Sequence, residues 1–254
     1  MSFDPVSRLD GKVAVITGGL GAIGYATATR LAALGATCVL LHRKGADAAA
    51  RAAALPSAQG QRHAAIRADI VDSASLNAAA AEVQATLGRC DILVNSAGHT
   101  QPVPAADLDA LTDELIDDIV RANFRGVFAT IRAFAPMLKA SGDALVANIS
   151  SIAGFTGVGS NLAYVAAKAG LDVVGDALAK ALAPAVRVVS VSPGAVESGF
   201  VPGRGAEFAG KMASTTPLGR IGQPDDVAAT VEALATTLRF VTGTRIVVDG
   251  GRHL

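Results

Sequence analysis

Short β-branched runs alternate with alanine-rich stretches from one end of this 254-residue chain to the other. No other feature so narrows what it can fold into. The runs are apolar throughout, which suits strands buried on both faces. They fall at Lys12–Thr17 (K-V-A-V-I-T), Thr37–Leu41, Ala64–Arg67, Ile92–Asn95, Ala144–Ile149, Val186–Val191 and Arg245–Val248. Helical patterns are expected between them over Gly24–Leu34, Ala46–Leu55, Ser73–Leu87, Thr112–Leu138, Leu162–Leu182 and Pro224–Ala235. Asp72 or Ser73 and Thr112 stand where caps belong, and Pro224 opens the last helix, where a missing N–H costs nothing. Alternating units of this kind imply an α/β fold: a doubly wound parallel seven-stranded sheet, as one domain over residues 1–254. Such sheets bind ligands at the carboxyl ends of their strands. The polar motifs of this chain cluster at those ends.

Apolar residues make up 51% of the chain and charged residues 17%, which is enough for a large buried sheet. The formal net charge is zero, so no polybasic surface for nucleic acid or membrane is expected. Charges and glycines interrupt every apolar run short of membrane-spanning length. The first ten residues, M-S-F-D-P-V-S-R-L-D, carry no apolar signal core. Cys38 and Cys90 fall in or beside expected buried strands, at a spacing of neither a disulfide framework nor a metal site. A cytoplasmic protein without a metal fits these features.

Tyr164 and Lys168 (Y-V-A-A-K) lie four residues apart, hence on one face of their helix. An ammonium beside a phenol stabilises the phenolate, and a tyrosine, which ordinarily titrates near ~10, needs that help to act as a base at neutral pH. Ser151 stands thirteen residues earlier, at the end of the fifth apolar run. The turn T-G-G-L-G-A-I-G at Thr17–Gly24 joins the first strand to a helix, where backbone N–H groups suit a pyrophosphate. Asp69 ends the third run. It reads either as a helix-entry aspartate or as a carboxylate bonding an adenine amino group, and its place favours the second.

In order, these motifs resemble the classical short-chain dehydrogenase/reductase family, from Gly11 to Gly251. The resemblance also takes in N-S-A-G at Asn95–Gly98, Asn123, N-I-S-S at Asn148–Ser151 and P-G-A-V-E-S at Pro193–Ser198. P-L-G-R-I-G-Q-P-D-D-V-A at Pro217–Ala228 and V-D-G-G at Val248–Gly251 complete it. Ala22, Ser96 and Ser198 depart from the usual residues, and none of them removes a catalytic group. The resemblance implies a Rossmann-type fold and hydride transfer between NADP(H) or NAD(H) and a small ketone or secondary alcohol. It makes Tyr164 the proton donor in reduction and the acceptor in oxidation. Lys168 lowers the tyrosine pKa and bonds the nicotinamide ribose, Ser151 holds the substrate oxygen, and Asn123 holds a water that completes a relay to the lysine. Cofactor contacts are expected from Gly18, Leu20, Gly21, Ile23, Gly24, His42, Arg43, Asp69, Ile70, Asn95, Ala97, Gly98, Pro193, Gly194, Val196 and Ser198, and from Tyr164 and Lys168 themselves.

Relatives that prefer NAD usually carry an aspartate where His42 stands. Its absence, with Arg43 alongside, favours NADP(H) over NAD(H); otherwise Arg43 merely flanks the adenine. Residues 199–220 are expected to form a substrate lid with one short helix. Ala153, Val158 and Ala195 are expected in the pocket, and His99 and Gln101 are either substrate contacts or loop polar groups. Within the family, 3-oxoacyl-carrier-protein reductases are nearest and sugar or polyol dehydrogenases next. The stretch before the fifth strand, L-K-A-S-G-D, has only Lys139 to greet an acidic carrier, so a small free carbonyl or alcohol is favoured over an acyl thioester. The enoyl reductase variant spaces its tyrosine and lysine further apart. From another class, the alternative is a non-catalytic dinucleotide-binding regulator. A homotetramer is expected from the late helices and the last strand.

Overall fold

The computed structural model describes residues 8–203 and 205–254. The extreme N-terminal segment and Arg204 of the expected lid lie outside them. Seven strands, Val13–Thr17 (β1), Thr37–His42 (β2), Ala64–Arg67 (β3), Ile92–Asn95 (β4), Ala144–Ile149 (β5), Val186–Pro193 (β6) and Thr244–Val248 (β7), form one sheet. Their order is β3-β2-β1-β4-β5-β6-β7, and every pairing is parallel. The chain reverses its winding between β1 and β4, which is where open sheets of this kind leave a crevice.

Helices Ala22–Ala33 (α1), Ala48–Ala53 (α2), Ser73–Leu87 (α3), Asp113–Val120 (α4), Gly126–Ser141 (α5), Ala153–Thr156 (α6), Leu162–Leu182 (α7), Ala206–Ser214 (α8) and Pro224–Ala235 (α9) cover the faces. Two apolar layers result. Val15, Leu93, Val146 and Val188 pack with Phe134, Leu138 and Leu171 on one face. Ile16, Leu40, Val94 and Val191 pack with Leu31, Val231 and Leu234 on the other. On that second face α1 lies against α9. Arg30 of α1 joins Asp225 through two bonds of 2.6 and 2.7 Å and Glu232 at 2.8 Å.

Helix starts follow local chemistry. Asp72 caps α3 by accepting from Ala74 N–H at 2.9 Å, and Thr112 caps α4. The Asp226 carboxylate accepts from Gln223 N–H at 2.7 Å at the start of α9. The continuous helix expected over Thr112–Leu138 is instead α4 and α5 joined by a single π turn, Arg121–Arg125. Gly126 sits at that junction because a Cβ there would stand 2.9 Å from the Ile70 carbonyl. Helix α2 is shorter than expected, α1 starts two residues earlier, and β6 runs on to Pro193.

Asp91 anchors the opposite rim of the sheet. Its buried carboxylate accepts from Val13 N–H (2.9 Å) and Ser141 Oγ (2.9 Å), and it pairs with Arg89 (2.7 Å) and Lys12 (3.2 Å). Burial works to raise its pKa, but Arg89, the Val13 N–H, Ser141 and Lys12 together hold it below the usual carboxylate range. We predict that Asp91→Ala, which strands a buried N–H and loosens two cations, destabilises the fold by about 3 kcal/mol in urea melts. Because the folded-state pKa is depressed, this contribution is present above the ordinary Asp value and lost as pH falls through the folded one. The wild-type advantage over Asp91→Ala should therefore shrink in acid.

Candidate active site

Register across the parallel strands aligns one residue from each of five strands. Thr17 pairs with Asn95, Asn95 with Asn148, Asn148 with Ser190, and Ser190 with Arg245. In-register neighbours project to the same face, so these side chains form a polar row beneath the carboxyl rim, on the α7 side. Thr17 Oγ1 accepts from the N–H groups of Ser96 and Ala97, both at 3.1 Å, and so shapes the loop after β4. Asn95 Nδ2 donates to Asn148 Oδ1 at 2.9 Å.

Tyr164, Lys168 and Ser151 lie near the end of this row. Tyr164 opens α7 and is buried, with a relative exposure of 8%. Asn161 caps that helix by accepting from Tyr164 N–H at 2.7 Å. Its amide also donates to Gln101 O (2.7 Å) and Thr100 Oγ1 (3.2 Å), pinning α7 to the β4 loop. One turn on, Lys168 donates to the carbonyl of Ile149, the last residue of β5, at 2.8 Å. Its Nζ lies 5.6 Å from the Tyr164 ring centroid. Burial pushes the Lys168 pKa down to about 8, against the opposing pull of Asp172. Ser151 follows β5 by two residues, and its Oγ accepts from Ala153 N–H at 3.2 Å, leaving the hydroxyl proton to be donated elsewhere. Gly154 lets the short helix α6 press on α7, since a Cβ there would meet the Lys168 carbonyl carbon at 2.9 Å. Lys168 is thus seated at the end of the strand that leads into Ser151, with Tyr164 one turn before it.

Asn123 lies in the π turn rather than in the interior of an α-helix. Its Nδ2 donates to His99 O (2.7 Å) and Ile119 O (2.9 Å), while its buried Oδ1 has no hydrogen-bond partner among the described residues. Gly98 faces it at a distance no side chain tolerates: an added Cβ would be 2.5 Å from Asn123 Oδ1.

At the other end of the crevice, Gly18 takes a φ of +63° and Gly21 N–H donates back to its carbonyl at 2.8 Å. Leu20 is held through its carbonyl by Arg51 at 2.7 Å. Helix α1 begins behind this turn with Gly21 as cap, without a side-chain cap or an acidic residue in its first turn. Its positive end is free to meet an anion. Ile23 packs from α1 into the core. Asp69 is half-buried, with Oδ1 accepting from Val71 N–H at 3.1 Å, and Asp72 rather than Asp69 caps α3. Ile70 follows, half-buried. His42 ends β2 with its Nδ1 buried and unpartnered among the described residues, and Arg43 is exposed beside it.

The loop after β6 completes the rim. Pro193 O accepts from Ile152 N–H at 3.0 Å, and Gly194 passes so close to Asp249 that a Cβ would be 2.7 Å from it. Val196 bridges to Gly222, and Ser198 is half-buried. Phe200 then lies 6.0 Å from the Tyr164 ring, tilted by 53°.

A family model described as enoyl-(acyl carrier protein) reductase matches residues 19–253. D-threitol dehydrogenase of Mycolicibacterium smegmatis is 37% identical over 256 residues, covering 99% of this chain and 96% of its own. The 3-oxoacyl-acyl-carrier-protein reductase of Aquifex aeolicus is 34% identical over 249 residues, covering 96% and 98%. The crystal structure of levodione reductase superposes with a TM-score of 0.90 at 28% identity, covering 97% of this chain and 99% of that one. The chain belongs to the short-chain dehydrogenase/reductase family. It is an NAD(P)-dependent oxidoreductase that transfers hydride at hydroxyl or keto groups.

As a member of this family it has the features a dinucleotide needs: the tight glycine turn, the uncapped positive helix end and the half-buried Asp69 carboxylate. Several site neighbours carry no marker in the sequence. Asn161 is an ordinary loop letter until the fold makes it the cap of α7, and Thr17 and Phe200, inside the glycine motif and the expected lid, carry no sign of the contacts they make. Ala153 is fully packed beside Tyr164, while Val158 is largely exposed. His99 bonds the surface carboxylate of Asp118 at 2.8 Å, which fits a loop polar group, and Gln101 is exposed. Both thiols are pushed up by burial, Cys38 to about 12.

The glycine turn generates a direct test. Gly24→Ala places a methyl group 2.4 Å from the Gly18 carbonyl. The expected cost is about 1–3 kcal/mol of stability, with weakened dinucleotide binding in a fluorescence titration. A variant that melts and binds like wild type would show that the turn does not need this close approach.

Proposed function

We propose that Tyr164 is the acid/base of a reaction interconverting a small ketone and a secondary alcohol, with NADP(H) preferred over NAD(H). The observation that carries this reading is Tyr164 buried one turn from Lys168, which is itself seated on the strand end that delivers Ser151. The nicotinamide, when bound, gives or takes the hydride at the carbonyl carbon. The chain's own residues do the rest. In reduction the Tyr164 phenol gives its proton to the substrate oxygen; in oxidation the phenolate takes it back. The Ser151 hydroxyl donates to the same oxygen and fixes its position. The Lys168 ammonium favours the phenolate, and Asn123, whose buried Oδ1 lacks a partner among the described residues, would hold a water that reloads the proton.

NADP preference is supported by Arg43, exposed at the end of β2, where no carboxylate at position 42 opposes a 2′-phosphate. Residues 199–220, with α8 inside them, would close over the substrate, and Phe200 against Tyr164 would exclude water from the proton path. A 3-oxoacyl thioester is the second substrate class, supported by the Aquifex relative, although Lys139 is the only cation in the stretch before β5. We propose a cytoplasmic homotetramer. Phe128 on α5 and Leu162 and Val173 on α7 are exposed apolar side chains that a second copy would cover. Among the described residues, no helix is long and apolar enough to cross a membrane.

Tyr164→Phe should bind dinucleotide as wild type does and lose turnover by roughly a thousandfold against a panel of ketones and diketones. Unchanged turnover would remove this tyrosine from the mechanism, and binding without turnover in wild type would favour a regulatory protein. In parallel titrations NADPH should quench at lower concentration than NADH. Equal binding would mean that Arg43 only flanks the adenine.

A further inference from the structure

Asp172 lies one turn beyond Lys168 on α7, with its side chain only 3% exposed. Neither of its carboxylate oxygens has a hydrogen-bond partner among the described residues. Facing it from β7, Arg245 places Nε 3.6 Å from Oδ2, an ion-pair distance longer than a hydrogen bond. Arg245 is the last member of the polar row, paired in register with Ser190, and its guanidinium also lies 5.1 Å from the Phe155 ring centre. A carboxylate taken out of water without hydrogen bonds is expensive, and a fold retains it only where nearby charge compensates.

The surroundings leave few candidates for that charge. Asp117, Asp118, Arg121, Arg125, Asp176 and Lys180, on the packed helices and the π turn, are all exposed. Asn148 of β5 and Ser190 of β6, which lie against Gly175 on the same helix, do not titrate. His253, which meets the Phe155 ring edge-on, is paired with Asp249 at 2.8 Å. Besides Tyr164 itself, that leaves Lys168 and Arg245. The attraction between Asp172 and Lys168 opposes the burial that drags the lysine down to about 8.

We propose that Asp172 is a positioning residue of this site: its buried carboxylate, held between Lys168 and Arg245, keeps the Lys168 side chain cationic beside Tyr164. This rests on the reading of Lys168 as the partner of an acid/base tyrosine. Arg245 tempers the carboxylate, so the edge strand β7 takes part in setting the charge at the centre of the site. The pair is unmarked in the sequence, since the two residues lie far apart and the chemistry of each is commonplace.

The test reads Lys168 directly. Full-length protein labelled with 13C at lysine Cε is titrated by NMR, and the Lys168 signal is assigned by its loss in Lys168→Arg. In Asp172→Asn the midpoint should move to lower pH by about one unit, the lower end of what a close opposite charge exerts. In Arg245→Met it should move the other way, because the cation competing for Asp172 is gone. Asp172→Glu, which keeps the charge, should restore most of the wild-type midpoint. A merely structural ion pair between α7 and β7 would lower the Tm in both variants and leave the midpoint in place, and that result overturns the proposal. Should Asp172→Asn fail to fold, an unmoved midpoint in Arg245→Met overturns it alone. The titration needs no turnover. Opposite shifts in a protein that reduces no carbonyl would sink the proposed reaction while leaving the electrostatic link intact.

Discussion

Parallel strands cannot be joined by hairpins, so each connection in this sheet must cross a face before the next strand begins. That constraint does two things at once. It covers both faces with helices, which is why the strands are apolar throughout. It also delivers every strand's carboxyl end to one rim. Thr17, His42, Asn95, Ile149 and Pro193 are far apart in sequence and neighbours in space for this reason alone. The loops leaving those ends then need only short polar segments to assemble a site, because the sheet has already set their spacing.

The rim is also where the fold departs from its own burial rule. Below it, the interior is aliphatic and closely packed. At it, an ammonium, several amides and hydroxyls are taken out of water, and some are left with a hydrogen-bonding atom unmatched among the described residues, as with Asn95 Oδ1, Asn123 Oδ1 and Asn148 Nδ2. Such groups cost stability unless something completes them. Most of these unmatched atoms lie near the carboxyl rim, in the row and in the π turn above it. At the opposite rim, Asp91 is just as buried but every partner it needs is present.

Much of this was legible in the letters. Apolar runs locate strands because a doubly covered sheet leaves no polar side, and the four-residue spacing of Tyr164 and Lys168 marks a shared helix face. The remainder depends on contacts between distant segments. The π turn at Asn123 could not be read, since nothing in the sequence relates the start of α5 at Gly126 to the Ile70 carbonyl it packs against. Phe200 against Tyr164 is a loop placement without periodicity. The shortening of α2 reflects an alanine run with no side-chain cap, for which propensity alone sets no end. The pairing of Asp172 with Arg245 follows from strand register, which becomes known only when β6 and β7 are aligned.

The contact between α1 and α9 bears on how the molecule comes into being. One helix belongs to the first strand's crossover and the other to the last, yet they share a single layer and are laced by Arg30. A chain emerging from synthesis presents Leu31 and Ala28 long before Val231 and Leu234 exist to cover them. The outer face of the N-terminal half therefore stays open until nearly the whole polypeptide has been made. Contacts spanning that much sequence slow folding, and they also make the finished protein unfold as one unit rather than by halves.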